Sequence, residues 1–177
     1  MYIPKSFHTY YAQDAVISYL ETGRKPLIAD DDIPDALKNP QACFVSIFES
    51  NGRMRGCMGT IRPRNRWLYH EIVDNAIFAA FEDQRYTPLM MEELEDVRFR
   101  VETVTSPRKI NRLEELDPLR YGIIVRSPDH KEGVLLPDCD GVVTVEDQIT
   151  VAMKKGEIAP TFRDQLEILL FEIQVFH

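Results

Sequence analysis

A chain of 177 residues with 44% hydrophobic and 28% charged residues has the size and composition of one compact domain or two small lobes around one core. Aliphatic and aromatic residues recur along its whole length, which excludes a disordered chain. Its 21 Lys and Arg against 29 Asp and Glu leave a net charge of −8, a poor match for nucleic acid or an anionic membrane, both of which bind through positive charge. The first element follows Ser6, a helix N-cap residue type. Phe7, Tyr11, Ala15 and Leu20 trace one helical face that ends at Gly23. Arg24 to Pro40, with its prolines and Asp30-Asp31-Asp32, reads as a loop holding at most a helical turn near Ile33 to Leu37. Ala42 to Phe48 and Met54 to Ile61 are apolar, β-prone runs around Asn51-Gly52 and predict a hairpin. Leu68, Ile72, Val73, Ala76, Ile77 and Ala80 predict a largely buried helix over Trp67 to Phe81. Met91 to Leu94 suits a short helix. Val97, Phe99, Val101 and Thr103 alternate with Arg98, Arg100 and Glu102, the pattern of a strand with one exposed, charged face.

In the second half, Pro107 to Arg120 is polar, with one short helical turn around Leu113, Leu116 and Leu119. Tyr121 to Arg126 and Val134 to Pro137 predict a second hairpin across Pro128 to Gly133. Thr144-Val145-Glu146-Asp147 fits a capping box that opens a helix running to Lys155 and stopping at Gly156. Alternation through Leu169, Phe171, Ile173 and Val175 predicts one terminal strand, with Phe162 to Leu170 able to begin as helix. Hairpins dominate over strand–helix–strand units, so the fold class is α+β with a mainly antiparallel sheet. No glycine-rich phosphate loop follows a strand. No apolar run approaches the roughly 20 residues of a membrane span. The start, Met1 to Ser6, lacks a secretory apolar stretch. Three cysteines at 43, 57 and 139 are too few and too far apart for a disulfide framework, and a cytoplasmic setting is expected.

Chemistry concentrates in Asn51 to Trp67, which holds five arginines (Arg53, Arg55, Arg62, Arg64, Arg66) and no acid. At its centre stands Arg55-Gly56-Cys57-Met58-Gly59-Thr60. Glycines in a strand admit close approach by a backbone or a ligand, and nearby guanidinium groups or helix N-terminal amides would stabilise a thiolate. Cys57 is therefore a candidate nucleophile. Arg55, Gly56, Gly59 and Thr60 are candidates for an anion pocket. The competing interpretation is a small buried cysteine in a tight hairpin with a solvated arginine face. A base for Cys57 is hard to name. His70 is nearest in sequence, yet a lone histidine on an amphipathic helix is more often a plain polar residue. His70-Glu71 begins like a zinc-protease helix, but Asp74 stands where the second histidine is needed, which rejects that motif. No close Cys/His cluster suggests structural zinc, a metal could be held only by residues distant in sequence, and neither a metal site nor a cofactor is expected. Asp83 and Arg85 pair and clamp their loop, or else line a cleft. Asp138 and Cys139 end the second hairpin at a turn.

These residues carry a resemblance. Arg55-Gly56-Cys57-Met58-Gly59-Thr60 resembles the Arg-Gly-Cys-Ile-Gly-Thr signature of the AMMECR family, and Asp83-Gln84-Arg85-Tyr86-Thr87-Pro88-Leu89 resembles its Asp-x-Arg-Phe-x-Pro-Leu motif. Glu93-Leu94, Tyr121 to Val125 and Leu135-Leu136-Pro137 follow in the family's order, and Met58 and Tyr86 are mild departures. The resemblance implies a single AMMECR-like domain over 1–177, in two unequal lobes sharing one core. It implies a barrel-like, largely antiparallel sheet with helices packed outside. It also implies a component or adaptor of a modification pathway working with Memo-like and radical SAM proteins, the AmmeMemoRadiSam set. The alternative is a small enzyme that uses Cys57 as nucleophile or redox thiol on a small anionic ligand. Arg55 would hold the anion, and Asp83 with Arg85 would line the cleft.

Overall fold

A computed structural model describes residues 3–177; Met1 and Tyr2, part of the N-terminal stretch read above, lie outside the described residues. Helices are α1 (Phe7–Thr22), α2 (Leu68–Phe81) and α3 (Val145–Lys155). Strands are β1 (Ala42–Glu49), β2 (Met54–Gly59), β3 (Val97–Val104), β4 (Arg108–Lys109), β5 (Gly122–Arg126), β6 (Glu132–Leu135), β7 (Glu167–Phe171) and β8 (Ile173–Phe176). Two four-stranded sheets result, ordered β2-β1-β3-β8 and β4-β7-β5-β6. The pairs β1–β2, β1–β3, β4–β7, β5–β6 and β5–β7 are antiparallel. The expected α+β class with antiparallel strands stands. The strands are shared between these two sheets, and no closed barrel is found among the described residues. The chain divides into two compact units, one running to Val104 and including Gln174–His177, the other Thr105–Ile173.

In the first unit, α1 starts where Ser6 caps it, its hydroxyl accepting from the Thr9 amide, and stops at Gly23 with φ 69°, a conformation only glycine adopts freely. Strand alternation sends Cys43, Val45 and Ile47 of β1 and Val97, Phe99 and Val101 of β3 toward α1 and α2, where they close one apolar cluster. The other face of the same strands carries Phe44, Ser46 and Phe48, with Arg98, Arg100 and Glu102 opposite them on β3. That face departs from the expected solvated charge row. Only Arg98 is exposed; Arg100 Nη2 pairs with Glu102 Oε1 at 3.0 Å, and the Glu102 residue is 4% exposed. The loop before β1 tightens into two single 3₁₀ turns, Asp30–Asp32 and Asp35–Leu37.

In the second unit, Ile123, Val125, Leu135, Ile149, Ala152 and Leu170 pack between the sheet and α3. The Thr144 hydroxyl accepts from the Asp147 amide at 3.1 Å, and the Thr144 amide donates to the Asp147 carboxylate at 3.0 Å, so the capping box forms with aspartate in the glutamate position. Strand β6 begins at Glu132, earlier than the expected Val134, because the tight turn needs only the residues around His130, whose φ is 65°. The polar stretch after Pro107 contributes the short strand β4, which the sequence did not signal. The single terminal strand is corrected to two. Pro160–Gln165 forms a 3₁₀ turn, β7 joins the second sheet, and β8 joins the first.

Candidate functional site

The Arg-Gly-Cys-Met-Gly-Thr segment occupies β2 and the residue after it, and most of its positions are engaged by the protein itself. Arg55 is 8% exposed; its Nε and Nη2 donate to the Glu93 carboxylate at 2.7 and 3.1 Å, and Nη2 also reaches the Pro88 carbonyl at 3.4 Å. The carboxylate bound in this bidentate way belongs to the chain and sets the path of the loop after α2. Glu93 is thereby held below its usual range, chiefly by the bond from Arg55. At Gly56, an added Cβ would stand 2.1 Å from the Ala79 carbonyl oxygen of α2, so the glycine exists for helix–strand contact. At Gly59 the neighbour is the Phe44 ring, 2.3 Å from the same hypothetical atom. Both close approaches foreseen for the glycines are made by the protein.

Thr60 is buried, its amide donating to the Cys43 carbonyl at 3.0 Å and its hydroxyl to Glu71 Oε2 at 3.4 Å. Glu71, 1% exposed on α2, also accepts from the backbone amides of Arg64 and, at 2.7 Å, Asn65. The anion that organises the arginine loop is thus Glu71. The amide at the start of α2, on Leu68, donates to the Asn39 carbonyl at 2.8 Å. Of the other arginines, Arg53 pairs with Glu49 at 2.6 Å and Arg66 lies over the Trp67 ring at 4.6 Å.

The two sequence motifs meet at Cys57. Asp83 Oδ2 accepts from the Cys57 amide at 2.9 Å, and Arg85 Nη2 donates to the Cys57 carbonyl at 3.3 Å. Arg85 grips Asp83 twice, Nε to Oδ1 at 2.9 Å and Nη2 to Oδ2 at 2.7 Å. Asp83 and Arg85 therefore clamp the Cys57 peptide, on top of fixing their own loop. The Arg85 bonds are the first cause that lowers the Asp83 carboxyl to about 2, with burial opposing and the Cys57 amide assisting.

With its backbone clamped, Cys57 projects its side chain onto the sheet face away from the helices, opposite Ser46. The Ser46 hydroxyl donates to Cys57 Sγ at 3.3 Å. Burial pushes the thiol above its ordinary range, and Glu102 and Asp83 add to that rise against the bond from Ser46 and the charge of Arg85. Cys43, on the helix-facing side, is fully buried and pushed up to about 12 by that burial. His70 stacks with Trp67, ring centroids 5.8 Å apart, and His8 with Phe176 at 3.6 Å. Cys57, Arg85 and Asp83 come together, whereas Arg55 and Thr60 turn to Glu93 and Glu71.

Sequence reasoning missed three members of this face: Ser46, Arg100 and Glu102. Arg100 lies opposite Ser46 in the β1–β3 register, and Glu102 lies opposite Phe44. The available signal was the hairpin register, which puts Ser46 against Cys57 once the turn at Asn51-Gly52 is fixed. Among the described residues no group of His, Cys, Asp and Glu is placed to hold a metal ion.

Comparison with known proteins places this geometry in a family. A protein of Thermotoga maritima is 37% identical over 165 residues, 93% of each chain. A protein of Clostridium acetobutylicum is 38% identical over 152 residues, which cover 83% of this chain but 31% of that one. The crystal structure of an uncharacterized protein from Pyrococcus horikoshii shares the fold, with a TM-score of 0.85 and 24% identity over 96% of this chain and 88% of that one. The AMMECR1 family model matches residues 9–176, and the chain belongs to that family.

Proposed function

We propose that this chain is a non-covalent binding module that presents the Cys57 face to its ligand or partner, as a component of a modification pathway with Memo-like and radical SAM proteins. The carrying observation is the setting of Cys57: a peptide gripped on both sides by Asp83 and Arg85, with a half-buried thiol that burial pushes above its ordinary range. A nucleophilic cysteine needs the opposite, a lowered pKa and a partner that takes the proton. Here the groups whose charge reaches the thiol are Glu102, Arg85 and Asp83, and two of the three disfavour the thiolate. The rigid peptide instead suits a preorganised recognition surface. The family match over 9–176 runs through both compact units, which supports treating them as one AMMECR domain. A cytoplasmic setting is supported by the three cysteines at 43, 57 and 139, too few and too far apart in sequence for a disulfide framework. No helix among the described residues is long and apolar enough to cross a membrane.

Alkylation of the native chain by iodoacetamide across pH tests this. Cys57 is expected to react faster than Cys43, with a midpoint above the ordinary thiol range, and Cys57→Ser is expected to restore the pathway in a host lacking the gene. A midpoint near neutral pH, or loss of pathway function in a folded Cys57→Ser chain, reverses the reading in favour of a thiol enzyme.

A further inference from the structure

The face that carries Cys57 contains two buried polar atoms with no partner. Arg100 Nη2 is satisfied by Glu102 Oε1 at 3.0 Å, but Arg100 Nε and Glu102 Oε2 have none. Glu102 is 4% exposed, so its second oxygen gains little from solvent. Such atoms each cost about 1–3 kcal/mol when left unpaired, and native proteins keep few of them without a purpose. Both residues share a face with Ser46 and Cys57, because Ser46 pairs in register with Cys57 on one side and Arg100 on the other. The Arg100 guanidinium is held in place by the Phe48 ring, 4.7 Å below it. Phe44 and Phe48 are half-buried on the same face and give it an apolar floor. Cys57 is also half-buried and the Arg100 side chain is one-third exposed, so the face reaches solvent beside the two orphaned atoms, which are themselves buried.

The orphaned pair is one donor, Nε–H, and one acceptor, a carboxyl oxygen. An added anion would meet Glu102, and an added cation would meet Arg100. A neutral group that both donates and accepts satisfies the pair without adding charge; water and hydroxyls do so through one oxygen, and a carboxamide does so through a carbonyl oxygen and an N–H on neighbouring atoms. We infer that Arg100 and Glu102 form a subsite for a neutral carboxamide, with the carbonyl on Arg100 Nε–H and the N–H on Glu102 Oε2. This rests on the non-covalent reading of the Cys57 face and names the chemistry that the face takes. The carboxamide comes either from a free small molecule or from a glutamine side chain of a protein partner, and the two offer the same edge.

The experiment is a titration of the full chain, followed by the ¹⁵Nε–H resonance of Arg100 and the ¹³C carboxyl resonance of Glu102. Three probes are compared: benzamide, benzoate and N-acetylglutamine methylamide. Benzamide is expected to shift both resonances saturably, and benzoate to bind at least about tenfold more weakly, because it brings a second carboxylate to Glu102. Tighter binding by the glutamine probe than by benzamide assigns the site to a protein partner, and the reverse assigns it to a small molecule. Glu102→Gln, which keeps shape and an acceptor, is expected to retain part of the benzamide response, and Arg100→Lys to lose it. Equal or tighter binding of benzoate overturns the inference, as does no shift at either resonance with about 10 mM benzamide. A crystal soaked in benzamide that shows only an undisplaced water between the two atoms overturns it as well. Failure of the non-covalent reading shows elsewhere, in a Cys57 alkylation midpoint near neutral pH, so the two failures are told apart.

Discussion

Asp83 gathers the consequences of a short motif onto one carboxylate. It accepts from the Cys57 amide and from both the side chain and the amide of Arg85. Every one of those donors favours the ionised form, and the folded carboxyl sits at about 2 against an ordinary 3.8. A depressed carboxyl stabilises the fold above the unfolded value, and that contribution is lost as pH falls through the folded one. Asp83→Asn keeps an acceptor for Cys57 and removes the charge. Because Arg85 is largely exposed, the ion pair is worth only about 1 kcal/mol at pH 7. Urea unfolding of the two proteins should therefore differ by that much at neutral pH, and the gap should close as pH falls from about 4 to about 2. A gap that persists unchanged below that window would mean the carboxylate is not what Arg85 stabilises. The Asp83–Arg85 pair was legible in the sequence because its partners stand two residues apart. The Arg55–Glu93 pair was not, since 38 positions separate them and only the folding of the loop after α2 brings them together. Glu102 was hidden for another reason: charged residues alternating with apolar ones read as a solvated face, and pairing between neighbours i and i+2 lets a strand bury them.

Elements were easier to read than their partners. Ser6, Gly23, the Asn51-Gly52 turn and the Thr144 box each bring local hydrogen bonds or a permitted φ, so they act wherever the chain goes. What the sequence could not announce is how near two elements come. Gly56 of β2 lies against the Ala79 carbonyl of α2, and Gly133 of β6 lies against the Ala152 carbonyl of α3, where an added Cβ would stand 1.9 Å away. Each unit thus seats a helix on the second strand of a hairpin through a glycine whose φ is ordinary. The requirement is space, and it sits in the partner helix. Gly56→Ala drives a methyl into helix backbone that cannot rotate away, so α2 or β2 must move, at a cost of about 3 kcal/mol. The same shift would drag Cys57 off its clamp. The expected signature is a lower urea midpoint together with loss of the Asp83–Arg85 pH dependence described above. A loss under about 0.5 kcal/mol would show that α2 stands farther from β2 than this geometry has it. The division of the last strand into β7 and β8 was illegible for a related reason. Apolar alternation runs on through Glu172, and only sheet membership separates the two.

At the scale of the whole molecule the chain leaves its first unit after Val104, builds the second from Thr105 to Ile173, and returns with Gln174–His177. The return is short, but it supplies the edge of the first sheet beside β3. Its anchor is aromatic: Phe176 stacks on His8 of α1 with ring centroids 3.6 Å apart. His177 adds a charge whose effect on Glu102 opposes the rise that burial causes. The C-terminal residues thus belong with the strand that carries Arg100 and Glu102. Ending the chain at Ile173 removes that edge, the stacking on α1 and the charge near Glu102. Hydrogen exchange reads the outcome by region. Amides of β3 and of the first turns of α1 should lose protection. The β1–β2 hairpin keeps its own cross-strand bonds, and β5, bonded on both sides to β6 and β7, keeps its bonds within the second unit. Titrating benzamide into the truncated chain then separates two roles of the return. If β8 only braces β3, stabilising conditions such as sulfate should restore both the protection and the Arg100 response. If exchange in β3 and α1 is unchanged by the truncation, the edge strand contributes nothing to the first unit. The order of Arg100 and Glu102 would then have to come from β1 and the Phe48 ring alone.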